Sequence, residues 1–215
     1  MGDLAPLGLL AVTAAVAYLI GSFSSGFVVG KLYRNVDLRR LGSGSTGATN
    51  TLRTLGPGAA ALVAILDVAK GALAVFLAHA LVPSGDWRPV AEAVAGTFAV
   101  VGHCWPVTLQ GRGGRGIATG FGALLFIASP TALVAVVFFG VALALTRTVS
   151  VGSLSSVAGA LVGYLLASWL GFVPFHWALL SFIVVGGAIV VVRHIDNIRR
   201  LIAGREPRLG EPIRS

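Results

Sequence analysis

The chain has 215 residues, 56% of them hydrophobic and 11% charged, more apolar surface than one soluble core buries, so a soluble globular fold is excluded. A formal charge of +8 raises nucleic acid as a partner, but the sixteen Lys and Arg residues lie in short stretches between apolar runs, without interleaved aromatics, which excludes it. The single cysteine, Cys104, excludes an internal disulfide, and no His/Cys/Asp cluster stands at metal-ligand spacing, so neither a metal nor another cofactor is expected.

In chain order, seven apolar runs read as membrane spans: 4–29, 57–82, 89–109, 117–128, 130–146, 153–172 and 174–193. A helix needs about 20 apolar residues to cross a bilayer; the fourth and fifth runs, split by Ser129-Pro130, are short. The first run lacks a basic start and an Ala-x-Ala-like cut site, so it reads as a span and not as a signal peptide. The fold class is therefore all-α: a polytopic membrane helix bundle of about seven transmembrane helices, one domain over 1–215, with 193–215 as a tail. Seven spans put the termini on opposite sides. With the C-terminus cytoplasmic, fourteen of the sixteen basic residues fall inside, in 30–56, in 110–116, at Arg147 and in the tail. Arg88 falls outside, near Asp3 and Asp86, and Lys70 lies within a span. The positive-inside rule therefore predicts a multi-pass protein of the plasma or inner membrane with its N-terminus outside.

The polar stretches all fall on the cytoplasmic side of that arrangement. In RRLGSGSTGATNTLRTLG (39–56), Gly42, Gly44 and Gly47 permit close backbone approach, Ser43, Ser45, Thr46, Thr49 and Asn50 offer neutral hydrogen-bonding groups, and Arg53 is a fixed cation. A solvated turn has the same composition. GRGGRG (111–116) opens onto IATGFGALLF: Gly113, Gly114 and Gly116 ahead of a helix N-terminus present N–H groups to an anion, and Arg112 and Arg115 add phosphate donors. The Lys-Ser/Thr ending of a P-loop and the strand of a dinucleotide fingerprint are both missing. SVGSLSS places Ser150, Gly152 and Ser153 in a short loop before the sixth run. RHIDNIRRL begins where the seventh ends, and on a continuing helix His194 and Asn197 share a face; Arg193 and His194 also suit the negative end of a helix dipole. Within the second run, Asp67 and Lys70 stand three residues apart and are expected to form a structural pair, because each buried ion costs at least ~2.5 kcal/mol at a helix centre. Gly159, Gly163, Gly186 and Gly187 predict close helix packing.

Together these stretches resemble the bacterial acyl-phosphate-dependent glycerol-3-phosphate acyltransferases, integral membrane enzymes of seven spans. The resemblance rests on GSFSSGFVVGKLYRNVDLRRLGSGSTGATNTLRTLG, DVAKG, GHCWPVTLQGRGGRGIATGFG, SVGS and RHIDNIRRLIAGREP, and reaches from Gly21 to Pro207. It implies transfer of a fatty acyl group from acyl phosphate to the 1-hydroxyl of glycerol 3-phosphate, giving lysophosphatidic acid and phosphate. The implied partners are those two substrates and membrane lipid, with no obligate protein partner. By the same resemblance Ser43, Arg53, His194 and Asn197 grip the acceptor, and Arg112, Gly113, Gly114, Arg115 and Gly116 form a phosphate loop. Ser45, Thr49 and Asn50 belong to the signature around GATN, and Ser150 and Ser153, with His194, are the catalytic candidates. The family commonly has Asn at Ser45 and Lys at Arg112 and Arg115; Arg keeps the charge and changes the geometry of phosphate contact, so a paralogue with another acceptor is one alternative.

An acyl phosphate is already activated, so alignment and charge neutralisation carry the reaction, and no Ser-His-Asp triad is legible. Direct transfer is expected, the departing phosphate collecting the hydroxyl proton; His194 is the competing base and is favoured as a positioning group. The competing class is a transporter or flippase for a phosphorylated solute or lipid, in which helices also begin at anion sites. The clustering of polar residues on one face and the lack of an inverted repeat weigh against it.

Overall fold

The structure, a computed structural model, describes residues 4–211; Asp3 and Arg214 lie outside the described residues. Among those residues all regular structure is helical. The first apolar run is not one helix but two, α1 (Leu4–Gly21) and α2 (Ser25–Arg34). The chain parts at Ser22–Ser24, where a loosened carbonyl finds a use: Phe23 O accepts a hydrogen bond from Lys70 Nζ at 2.8 Å. Helix α2 ends at Asn35, which takes the left-handed conformation with φ 52°. Its N–H donates to Lys31 O while that of Val36 donates to Gly30 O, the double closure that ends many helices.

The stretch 37–56 is not a solvated turn. It folds into a 3-10 turn at Leu38–Arg40, capped by the Asp37 carboxylate, and an eight-residue helix α3 (Ala48–Leu55). Asn50 builds the loop around itself: its Oδ1 accepts the Ser43 N–H at 2.9 Å, and its amide donates to the carbonyls of Leu38, Leu41 and Ser45 at 3.1, 3.0 and 2.8 Å.

The remaining helices are α4 (Pro57–Leu81), α5 (Trp87–Cys104), α6 (Ile117–Ile127), α7 (Ser129–Thr146), α8 (Val149–Trp169), α9 (Trp177–Arg193) and α10 (Ile195–Ile202). Among the described residues five apolar segments are long enough to cross a membrane, and α9 with α10, bent by 59°, makes a sixth. The expected fourth span, 117–128, falls short. At eleven residues α6 is only about 16 Å long, half a bilayer core.

Lipid supplies no hydrophobic drive for helix association, so close packing of small residues must hold the bundle. Helices α4 and α6 meet backbone to backbone: a Cβ on Gly71 would land on the Thr119 carbonyl, and one on Gly122 on that of Val68. Phe76 and Phe126 stack edge to face nearby, their centroids 6.0 Å apart. These contacts lay α6 along the second half of α4, so its N-terminus opens inside the bundle. Helices α7 and α8 form a hairpin in which Gly152, Gly159 and Gly163 receive Phe139, Phe138 and Val134. The expected ion pair is present: Lys70 Nζ lies 2.8 Å from Asp67 Oδ1, which also accepts the Ser25 hydroxyl at 2.5 Å.

Candidate active site

The loop between α5 and α6 turns twice in left-handed backbone, at Gln110 (φ 54°) and Gly111 (φ 75°), and enters α6 through Gly116 (φ 87°). His103 lies beneath it: its carbonyl accepts the Gly114 N–H at 3.0 Å, and its ring fills the space a Gly114 side chain would need. From α9, Arg193 donates to the carbonyls of Gly114 and Gly113 at 3.1 and 3.4 Å, with its guanidinium over the Trp105 ring. The loop is therefore clamped from two sides.

Above it lies a cavity of about 180 Å³ that gathers residues from far apart in the chain. Helix α3 and the turn before it contribute Ser45, Thr49, Asn50 and Arg53; Arg115 and Gly116 come from the clamped loop, Ser150 and Ser153 from α8, His194 from the break between α9 and α10, and Asn197 from α10. Asp67 and His103 form part of the wall, and Glu206 of the tail closes one side. Of the other expected site residues, Ser43, Arg112, Gly113 and Gly114 lie outside the lining: Arg112 is exposed, and Gly113 and Gly114 are buried. The Gly114 amide is already spent on His103, so the loop offers an anion Arg115, Gly116 and the first N–H groups of α6, which as in any helix lack intrahelical partners. Ser150 and Ser153 sit in the first turns of α8 and not in a loop, and His194 lies at a bend, not on a continuing helix. Asn50 lines the cavity with its polar atoms committed to the loop.

Glu206 had no role assigned from the sequence. Its Oε1 accepts the Ser150 hydroxyl at 2.8 Å and the Asn197 amide at 2.5 Å, and its Oε2 takes Arg200 Nε at 2.7 Å. The signal was a lone acid in an otherwise basic stretch, 197–210. Burial pushes the Glu206 carboxyl up, but the three hydrogen bonds together hold it below its ordinary value. Ser150 is thus tied to a carboxylate that is an acceptor only. Asn197 keeps Oδ1 without a partner among the described residues.

Around the Glu206 carboxylate stand Arg53, Arg115, Arg193 and Arg200. Neither Arg53 nor Arg115 makes a side-chain hydrogen bond or ion pair among the described residues, and burial, before any neighbouring charge, lowers the pKa of both, that of Arg115 to about 10. Unpaired, half-desolvated guanidinium groups mark a place built for an anion. His194 Nδ1 lies 2.8 Å from Val190 O and, facing a carbonyl, must carry the proton, leaving Nε2 as an acceptor.

A second, apolar cavity of about 240 Å³ runs between α6, α7, α8 and α9. It shares Gly116, Ile117, Ala118 and Phe139 with the polar one. A cationic pocket at a half-helix N-terminus thus adjoins a hydrocarbon-lined groove along a shared wall, an arrangement suited to a reactant with an anionic head and an oily tail.

Comparison with known proteins agrees with that chemistry. A family model described as glycerol-3-phosphate acyltransferase matches residues 11–204. Glycerol-3-phosphate acyltransferases of Gloeobacter violaceus and of Synechococcus sp. strain JA-2-3B'a(2-13) are 43% and 45% identical, covering 92% and 90% of this chain and 94% and 92% of their own. Crystal structures of PlsY (YgiH), an integral membrane glycerol 3-phosphate acyltransferase, superpose with TM-scores of 0.82 for the glycerol 3-phosphate form and 0.81 for the lysophosphatidic acid form. They are 32% and 30% identical, covering 94% and 93% of this chain and 96% and 94% of theirs. The fold and the site define an integral membrane acyltransferase. This chain belongs to the glycerol-3-phosphate acyltransferase family.

Proposed function

We propose that this acyltransferase takes its acyl group from an acyl phosphate and delivers it to the 1-hydroxyl of glycerol 3-phosphate in the polar cavity, releasing lysophosphatidic acid and phosphate. The observation that carries the donor assignment is the junction of the two cavities at Gly116–Ala118: an anionic head held by Arg115 and the α6 N-terminus leaves its chain no apolar path but the groove. Arg53, across the cavity on α3, then takes the acceptor phosphate. Asn197 Oδ1 and His194 Nε2, both acceptors without partners among the described residues, take hydrogen bonds from glycerol hydroxyls.

The attacking hydroxyl oxygen bonds to the acyl carbon, the bond from that carbon to the bridging phosphate oxygen breaks, and the hydroxyl proton must leave. The departing phosphate takes that proton, and His194, its Nδ1 proton held on Val190 O, orients the hydroxyl through Nε2. Transfer is direct, without an acyl-enzyme: the carboxylate beside Ser150 is Glu206, whose bonds from Asn197 and Arg200 hold its pKa below the ordinary value and make it a poor base for that hydroxyl. We place the cavity on the cytoplasmic side of the plasma or inner membrane, supported by the arginines that surround it. The test is purified protein with palmitoyl phosphate and glycerol 3-phosphate, followed for lysophosphatidic acid and phosphate. Turnover with a thioester donor and none with palmitoyl phosphate would overturn the donor assignment.

A further inference from the structure

The groove has a definite length. Its wall runs from Gly116 to Leu124 on α6 and from Val190 to Phe182 on α9; each stretch advances about 12 Å at 1.5 Å per residue. An extended hydrocarbon chain advances about 1.25 Å per carbon at ordinary bond lengths and angles, so about nine or ten carbons reach the floor. That floor is closed: Leu124, Phe182 and Ile183 belong to the buried core, together with Leu179 and Ala128. The Phe182 ring lies flush against α5, where a Cβ on Gly96 would come within 2.9 Å of its Cε2. The side is open, because Val136 on α7 is 45% exposed. Near the mouth the wall carries no side chain at Gly120, Gly186 and Gly187, and Val157 packs straight onto Gly187.

We infer that this groove is a shape filter for the acyl chain: it reads roughly the first nine carbons, Phe182 sets where reading stops, and the remaining tail turns out past Val136 into lipid. The inference rests on the donor reading above. Hydrophobicity alone gives such a site no selectivity, since a chain moving from lipid to an apolar wall gains no transfer energy. Fit is what remains, and a close-packed wall resists one extra methyl group. Branching near the carbonyl is therefore rejected, whereas branching and length beyond the floor are not read.

The test uses monomethyl isomers of hexadecanoyl phosphate, branched at carbon 4, 6, 8, 12 or 14, each assayed in lipid nanodiscs at one mole fraction. The isomers have one composition, so partitioning cancels. The expected kcat/KM for the 4-, 6- and 8-isomers is about fivefold or more below that of the 12- and 14-isomers, and Phe182→Ala restores the 8-isomer without restoring the 4-isomer. Phe182→Leu, which disturbs the core less, restores it in part. A flat profile on an active enzyme overturns the filter and leaves the donor reading intact, as does an unrestored 8-isomer in both folded variants. If every acyl phosphate is inert, the donor reading fails and takes the filter with it.

Discussion

Arg53 and Arg115 are both half-buried without a side-chain partner among the described residues, yet they have different neighbours: Arg115 adjoins the groove mouth, and Arg53 stands on α3 away from it. Arg53→Ala is therefore expected to raise KM for glycerol 3-phosphate and leave saturation by acyl phosphate nearly unchanged. Loss of one charge-assisted contact amounts to about 1.5–3 kcal/mol, or roughly ten- to a hundredfold in kcat/KM. Two-substrate kinetics decides it, and an effect confined to the donor would reverse the assignment.

At the scale of the helix, α6 was the hardest part to read. Its sequence, IATGFGALLF, is as apolar as any span, and Ser129-Pro130 marks its end, but hydropathy does not say where in the bilayer a helix begins. That depth is fixed by Gly71 and Gly122, which let α4 and α6 touch through their backbones, and such a pairing lies in no local pattern. Gly71→Ala should accordingly lower the thermal midpoint by several degrees or prevent folding, whereas Gly140→Ala, with nothing within 4 Å of the new methyl group, should be neutral. Equal midpoints for the two would contradict the packing described. The break at Ser22–Ser24 was hidden for a similar reason, since it is Lys70, on another helix, that satisfies the Phe23 carbonyl. By contrast, the residues that meet in the cavity were legible wherever polar chemistry stood out against an oily background, as with Arg53, Arg115, His194 and Asn197. The need for glycine at 114 was not legible, because it comes from the His103 ring packed against it in the fold.

For the molecule as a whole, orientation is open to direct measurement. Cysteines introduced at Gly85, between α4 and α5, and at Arg205, beyond α10, are expected to label from opposite sides of the membrane, with Arg205 cytoplasmic. Labelling of both from one side would overturn the proposed topology. The short α6 bears on traffic through the enzyme. Because α6 starts partway along α4, the proposed reaction takes place at the seam between the polar cavity and the apolar groove. On the proposed reaction, glycerol 3-phosphate and inorganic phosphate would use the first as their exit, and acyl phosphate and lysophosphatidic acid the second. Neither kind of molecule has to pass through the other's solvent, so a fresh acyl donor can seat itself from the lipid while spent phosphate is still leaving towards the water.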